Sequence, residues 1–90
     1  MKLNWKKMFD WTVVDVQQPM PRQDKTGAIT GYDVVVQYLH HGTRRLSFDV
    51  NHEALYAQYG SPLKAAQKIY EEYHKRALQW QKRAARQFAK

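Results

Sequence analysis

No cysteine occurs among the 90 residues, which excludes disulfides and thiolate metal sites and leaves a reducing compartment open. Nowhere do eighteen apolar residues run together, and the first ten (MKLNWKKMFD) lack the unbroken apolar stretch of a signal peptide. A non-membrane protein of the cytoplasm is therefore expected. The chain also has no Gly-rich phosphate loop and no nucleophile elbow. Its four histidines (His40, His41, His52 and His74) are scattered without the two-on-one-face spacing of a zinc enzyme. The hydroxyls nearest to them in sequence, Thr43, Ser47 and Ser61, have no catalytic motif around them. Neither an enzyme, nor a cofactor, nor a bound metal is expected. The most telling absence concerns charge: residues 75 to 90 contain no Asp or Glu.

That acid-free stretch holds Lys75, Arg76, Lys82, Arg83, Arg86 and Lys90, six of the seven net positive charges, while residues 1 to 74 set nine Lys and Arg against eight acids. The body is nearly neutral and the tail is basic. An asymmetry of this kind points to an anionic partner. Ninety residues with 43% apolar and 13% aromatic content suffice for one small domain with a modest core. We treat residues 1–90 as that domain, with residues 78–90 a basic helical extension.

The fold expected from the pattern is α+β: a three-stranded antiparallel meander covered on one face by a long C-terminal helix, with short helices before the first strand and before the long helix. Trp11 to Val16 (WTVVDV) reads as a strand, and Gln17 to Thr30, punctuated by Pro19, Pro21, Asp24 and Gly27, reads as a long loop. Tyr32 to Leu39 (YDVVVQYL) and Arg44 to Val50 (RRLSFDV) should pair as a hairpin. Because opposed residues must share a face, a two-residue loop at His41-Gly42 is disfavoured: it sets Leu46 against Gln37. A three-residue loop, His40 to Gly42, pairs Val36 with Leu46, Val34 with Phe48 and Tyr32 with Val50, and places Gly42 where a left-handed residue is wanted.

Gly60-Ser61-Pro62 punctuates the second half. Gly60 can close a short helix, Asn51 to Tyr59, while Ser61 caps a new helix with Pro62 in its first position. Nothing then interrupts the helix before Lys90. At helical spacing Leu63, Ala66, Ile69, Tyr70, Tyr73, Ala77, Trp80, Ala84 and Phe88 share an arc of roughly 120°, and the basic residues of the tail share the opposite one. A helix of about 28 residues spans roughly 42 Å, longer than strands of six to eight residues at roughly 20 to 26 Å. Trp80, Ala84 and Phe88 should project past the sheet, to be covered by Trp5, Met8 and Phe9 of an N-terminal helix, by a second copy in a homodimer, or by a partner.

The leading functional expectation is a small nucleic-acid-binding protein, DNA or RNA, whose Lys75, Arg76, Lys82, Arg83, Arg86 and Lys90 contact phosphates, helped by Arg22 and Lys25 on the loop between strands. The alternative is a protein-interaction module or inhibitor docking its basic helix on an acidic protein, with Trp80 and Phe88 as anchors. Lipid binding is not expected, since several stripe positions are Ala. Asp15, Asp33 and Asp49 fall one on each strand and face away from the helix. They read as partners for Arg44 and Arg45 rather than as a metal site. The element order, with Ser61-Pro62-Leu63-Lys64-Ala65-Ala66-Gln67-Lys68 opening the long helix, resembles in outline over residues 11 to 75 the end of a double-stranded RNA-binding domain, where such a helix start grips phosphates. It resembles equally the small sheet-plus-helix DNA-binding domains of integrases. The inserted helix 51 to 59, the shortened first helix and the missing lysine pair depart from the RNA-binding pattern, so no residue role is carried over.

Overall fold

A computed structural model describes residues 11–88. The expected N-terminal helix with Trp5, Met8 and Phe9, together with Lys90, lies outside the described residues. The elements run β1 (Val13–Val16), β2 (Met20–Gln23), β3 (Ile29–Tyr38), β4 (Gly42–Asp49), α1 (Glu53–Tyr59) and α2 (Pro62–Phe88). The fold is α+β as expected, but the three-stranded meander is wrong: the sheet has four strands. The ten-residue β3 is its centre. One edge of β3 pairs antiparallel with β1 near its C-terminal end and with β2 near its N-terminal end, and the other edge pairs with β4.

The strand missed in the sequence is β2, which occupies residues assigned to a loop because of Pro19 and Pro21. An edge strand needs ladder hydrogen bonds on one side only, so a residue without an N–H is tolerated there. Pro21 sits opposite Tyr32 and Arg22 opposite Gly31. The loop shrinks to a turn over residues 24 to 28. The Asp24 carboxylate accepts hydrogen bonds from Thr26 N (2.8 Å), Thr26 Oγ1 (2.6 Å) and Ala28 N (3.1 Å), while Gly27 supplies a φ of +87°. These bonds, the Thr26 hydroxyl foremost, hold the Asp24 carboxyl below its ordinary pKa.

In β1, both Val13 and Val16 are buried although three residues apart. Strict alternation forbids that, and the ladder shifts register between Val13 and Asp15, a bulge that turns both valines inward. The β3–β4 hairpin differs from expectation by two residues: Val34 pairs with Leu46, Tyr32 with Phe48, Val36 with Arg44, and Tyr38 with Gly42. The connection is Leu39 to His41. Tyr38, 8% exposed and edge-on to Trp11 with ring centroids 4.9 Å apart, extends β3 by gaining a packed site. Gly42 then starts β4 at φ +69°. A slip of two preserves the face of every side chain, so the apolar pattern alone does not distinguish the two registers.

Both helix boundaries follow the punctuation. Gly60 takes φ +91° and its N–H donates to the Tyr56 carbonyl at 3.0 Å, closing α1, which starts at Glu53 rather than at Asn51. Ser61 Oγ accepts from Lys64 N at 3.1 Å, capping α2. Helix α2 lies across the inner face, where Val13, Val16, Val34, Val36, Tyr38, Ala66 and Ala77 form the core, with Tyr32, Leu46, Phe48, Tyr70 and Tyr73 packed around it. Alanines at 65, 66 and 77, each at most 2% exposed, have short side chains that let a helix backbone come close to its neighbours. Two side chains tie α2 to the free side of β1: Arg76 donates to Trp11 O (3.0 Å) and Gln81 to Val14 O (3.2 Å). Backbone acceptors of an edge strand are thereby covered.

Candidate nucleic-acid interface

The basic residues singled out in the sequence meet different fates. Lys75, Lys82, Arg83 and Arg86 are exposed on α2, Lys75, Lys82 and Arg86 opposite the buried Ala66 and Ala77 and Arg83 on the flank that faces Trp11 and Thr12. None of them forms an ion pair with a described residue. Arg76 is also exposed, yet it is anchored: besides its bond to Trp11 O, its guanidinium lies 5.1 Å from the Tyr73 ring centroid. The remaining in-plane N–H donors of such an arginine stay available to a second acceptor.

Arg22 and Lys25 are not brought to this face. Lys25 is exposed in the 24 to 28 turn, at the opposite end of β3 from the β3–β4 connection, about 33 Å away along a ten-residue strand. Arg22 lies on the outer face of the sheet, where its Nε donates to Asp33 Oδ1 at 2.9 Å and its Nη2 bonds Asp49 Oδ1. Asp33, 7% exposed, also accepts from Ser47 Oγ (2.9 Å) and lies 4.0 Å from Arg45 Nε. The hydrogen bond to Asp49 is the chief reason the Arg22 pKa rises above its ordinary value. Gly31 makes this bridge possible. It lies between Arg22 on β2 and Asp49 on β4, and a Cβ there would collide with Arg22 Nη2 and come within 3.0 Å of Asp49 Oδ1 and the Phe48 carbonyl. Asp33 and Asp49 thus meet arginines, with Arg22 in the place expected for Arg44, whereas Asp15 is exposed and is not brought to an arginine among the described residues. Among the described residues no group of three or more His, Asp and Glu side chains is arranged to hold a metal ion.

Trp80 and Ala84 are half-buried. With Thr12 and Leu39 they line an open groove of about 360 Å³, bounded by Arg83 and Gln87. Phe88 ends α2, and its side chain lies outside the described residues. In the sequence Trp11 marks only the start of a strand. In the fold it joins a cluster: His41 stacks on the Trp11 ring (centroids 3.8 Å apart, planes 17° apart), and the Arg44 guanidinium lies 5.8 Å from that ring. Arg44 and Arg76 both act on Tyr38, whose hydroxyl is pushed up to about 12 by burial first and then by the neighbouring Tyr73, the two arginines pulling it only partly back. Arg76, Gln79 and Arg83 face Trp11 across a cleft of about 150 Å³. A cluster joining residues 11, 41, 44, 76 and 83 depends on register and helix placement, which local sequence patterns do not specify.

No helix among the described residues is long and apolar enough to cross a membrane. No protein-family model, curated protein or solved structure matches the chain. The outline likeness to RNA-binding and integrase domains therefore has no matching structure behind it.

Proposed function

We propose that this chain is a small, non-enzymatic nucleic-acid-binding protein that contacts backbone phosphates through α2. The observation that carries this reading is the set of cations left without carboxylate partners: Lys75, Lys82, Arg83 and Arg86 stand exposed with no ion pair to a described residue, and the acid-free sequence continues to Lys90. Several like charges held on one helix face repel one another, and a polyphosphate relieves that repulsion while releasing its own condensed cations. A helix face kept basic for solubility alone would tolerate acids among the lysines.

The test is fluorescence anisotropy with labelled single-stranded and duplex oligonucleotides across a salt series. If Lys75, Arg76, Lys82, Arg83, Arg86 and Lys90 all contact a single strand, log K should fall with log salt at a slope of about −4. Charge reversal at Lys82, Arg83 and Arg86 should lower affinity more than about 100-fold at moderate salt. Absence of binding at low salt to any nucleic acid would refute the proposal, and the basic helix would then be probed with an acidic protein partner.

A further inference from the structure

The cleft beside Trp11 and the groove beside Trp80 share two lining residues, Thr12 and Arg83. The cleft is polar and cationic: Arg76 and Arg83, two turns apart on α2, face it with the Gln79 amide between them. Its volume of about 150 Å³ equals that of about five liquid waters, enough for a partly hydrated phosphate. The neighbouring groove has an apolar floor of Leu39, Trp80 and Ala84 and an amide, Gln87, at its rim, and at about 360 Å³ it reaches the lower range of small-ligand sites. Arg83 separates the two. Phosphate-binding cations next to an aromatic, apolar recess match the repeating unit of a nucleic acid, with the backbone outside and the base face free to stack. A duplex presents its phosphates but keeps its base faces stacked inside, so only an unpaired strand uses both features.

Resting on the nucleic-acid reading above, we infer that the partner is a single strand, with one phosphate held by Arg76 and Arg83 in the Trp11 cleft and an adjacent base against Trp80 in the groove. Arg44, 5.8 Å from the Trp11 ring, lies where it can meet the next phosphate. Arg76 serves twice, fixing the start of β1 through the Trp11 carbonyl and presenting its remaining donors to the ligand. No carboxylate is among the residues found to line either recess, so nothing there opposes an anion. Gln79 and Gln87 offer both donors and acceptors, which suits contact with varied bases without fixed sequence.

The experiment compares three probes at one ionic strength: an oligothymidylate, a hairpin duplex of equal phosphate number, and inorganic polyphosphate. The oligothymidylate should bind about tenfold tighter than the duplex, a factor that one stacked base readily supplies. It should also quench tryptophan fluorescence, which polyphosphate, having no base, should not. Arg83→Gln should weaken oligothymidylate binding more than Lys75→Gln does. Trp80→Leu, which keeps an apolar floor but removes the ring, should bring oligothymidylate affinity down to that of the duplex. Circular dichroism melts check that each variant folds, and the quenching result stands independently if Trp80→Leu does not. Equal, salt-sensitive binding of oligothymidylate and duplex with no base-dependent quenching would overturn this inference and leave the proposed function intact. Failure of all three probes to bind would remove both.

Discussion

The outer face of the sheet and the outer face of α2 both carry arginines, and the two sets do opposite things. On the sheet, Arg22 is held between Asp33 and Asp49, and Arg45 leans toward Asp33, so β2, β3 and β4 are joined by ion pairs within the chain. On α2, Arg83 and Arg86 have no carboxylate partner among the described residues and remain exposed. The difference lies in the neighbours rather than in the residue type. A cation beside two carboxylates helps to hold the fold, whereas a cation in an acid-free stretch has its charge to offer to something else. Counting basic residues therefore overstates the binding surface unless the internal pairs are removed first.

Reversing charge on one face at a time separates the two sets of arginines most sharply. Lys82→Glu with Arg83→Glu and Arg86→Glu should lower nucleic-acid affinity more than about 100-fold at moderate salt and leave the thermal melting temperature nearly unchanged, as measured by anisotropy and circular dichroism. Arg22→Gln should do the reverse, lowering the melting temperature while leaving affinity and its salt slope intact, because Asp33 is buried and would lose its closest cation. In the core between the faces, Val34→Ala should cost about 2 to 3 kcal/mol by denaturant titration, from two lost methyl groups and the space they leave. Ser61→Ala, which removes the α2 cap without touching a basic residue, should cost about 1 kcal/mol. The smallest effect concerns Asp24. Its pKa is depressed in the folded state, so its contribution is fully present above its ordinary value of 3.8 and is lost as pH falls through the lower folded value. Asp24→Asn should therefore lower stability slightly at neutrality and flatten part of the acid limb below about pH 4, the two stability curves converging at low pH.

The same contrast marks what could be seen in the sequence. Features set by local chemistry were legible: Ser61 as a cap, Gly60 as a left-handed stop, Gly42 at the hairpin, the inward face of β3 and most of the inward face of α2, although Leu63, placed on that face, is exposed and Ala65, left off it, is buried. Features set by how strands meet were not. Pro19 and Pro21 signal a loop unless it is known that β2 lies on an edge, where an absent N–H goes unnoticed. A hairpin register wrong by two leaves every side chain on its proper face, so Val36 opposite Leu46 looked as sound as Val34 opposite Leu46. The fate of Arg22 follows from that same layer: its partners are 11 and 27 residues away, and the glycine that lets it pass, Gly31, looks like any other small residue in a strand. For the candidate site, the α2 cations were evident from sequence, while Trp11, His41, Arg44 and Leu39 joined it only through the fold.

The measurement that bears most directly on the division of labour between the two faces is the salt slope of single-strand binding for the unmodified chain, for Arg22→Gln and for the Lys82, Arg83 and Arg86 reversal, taken side by side with their melting temperatures. The expected result is a steep slope that Arg22→Gln preserves despite its lower melting temperature, and that the reversal abolishes without loss of stability. A slope that falls with Arg22→Gln and survives the reversal would mean that the sheet face, not α2, meets the anion.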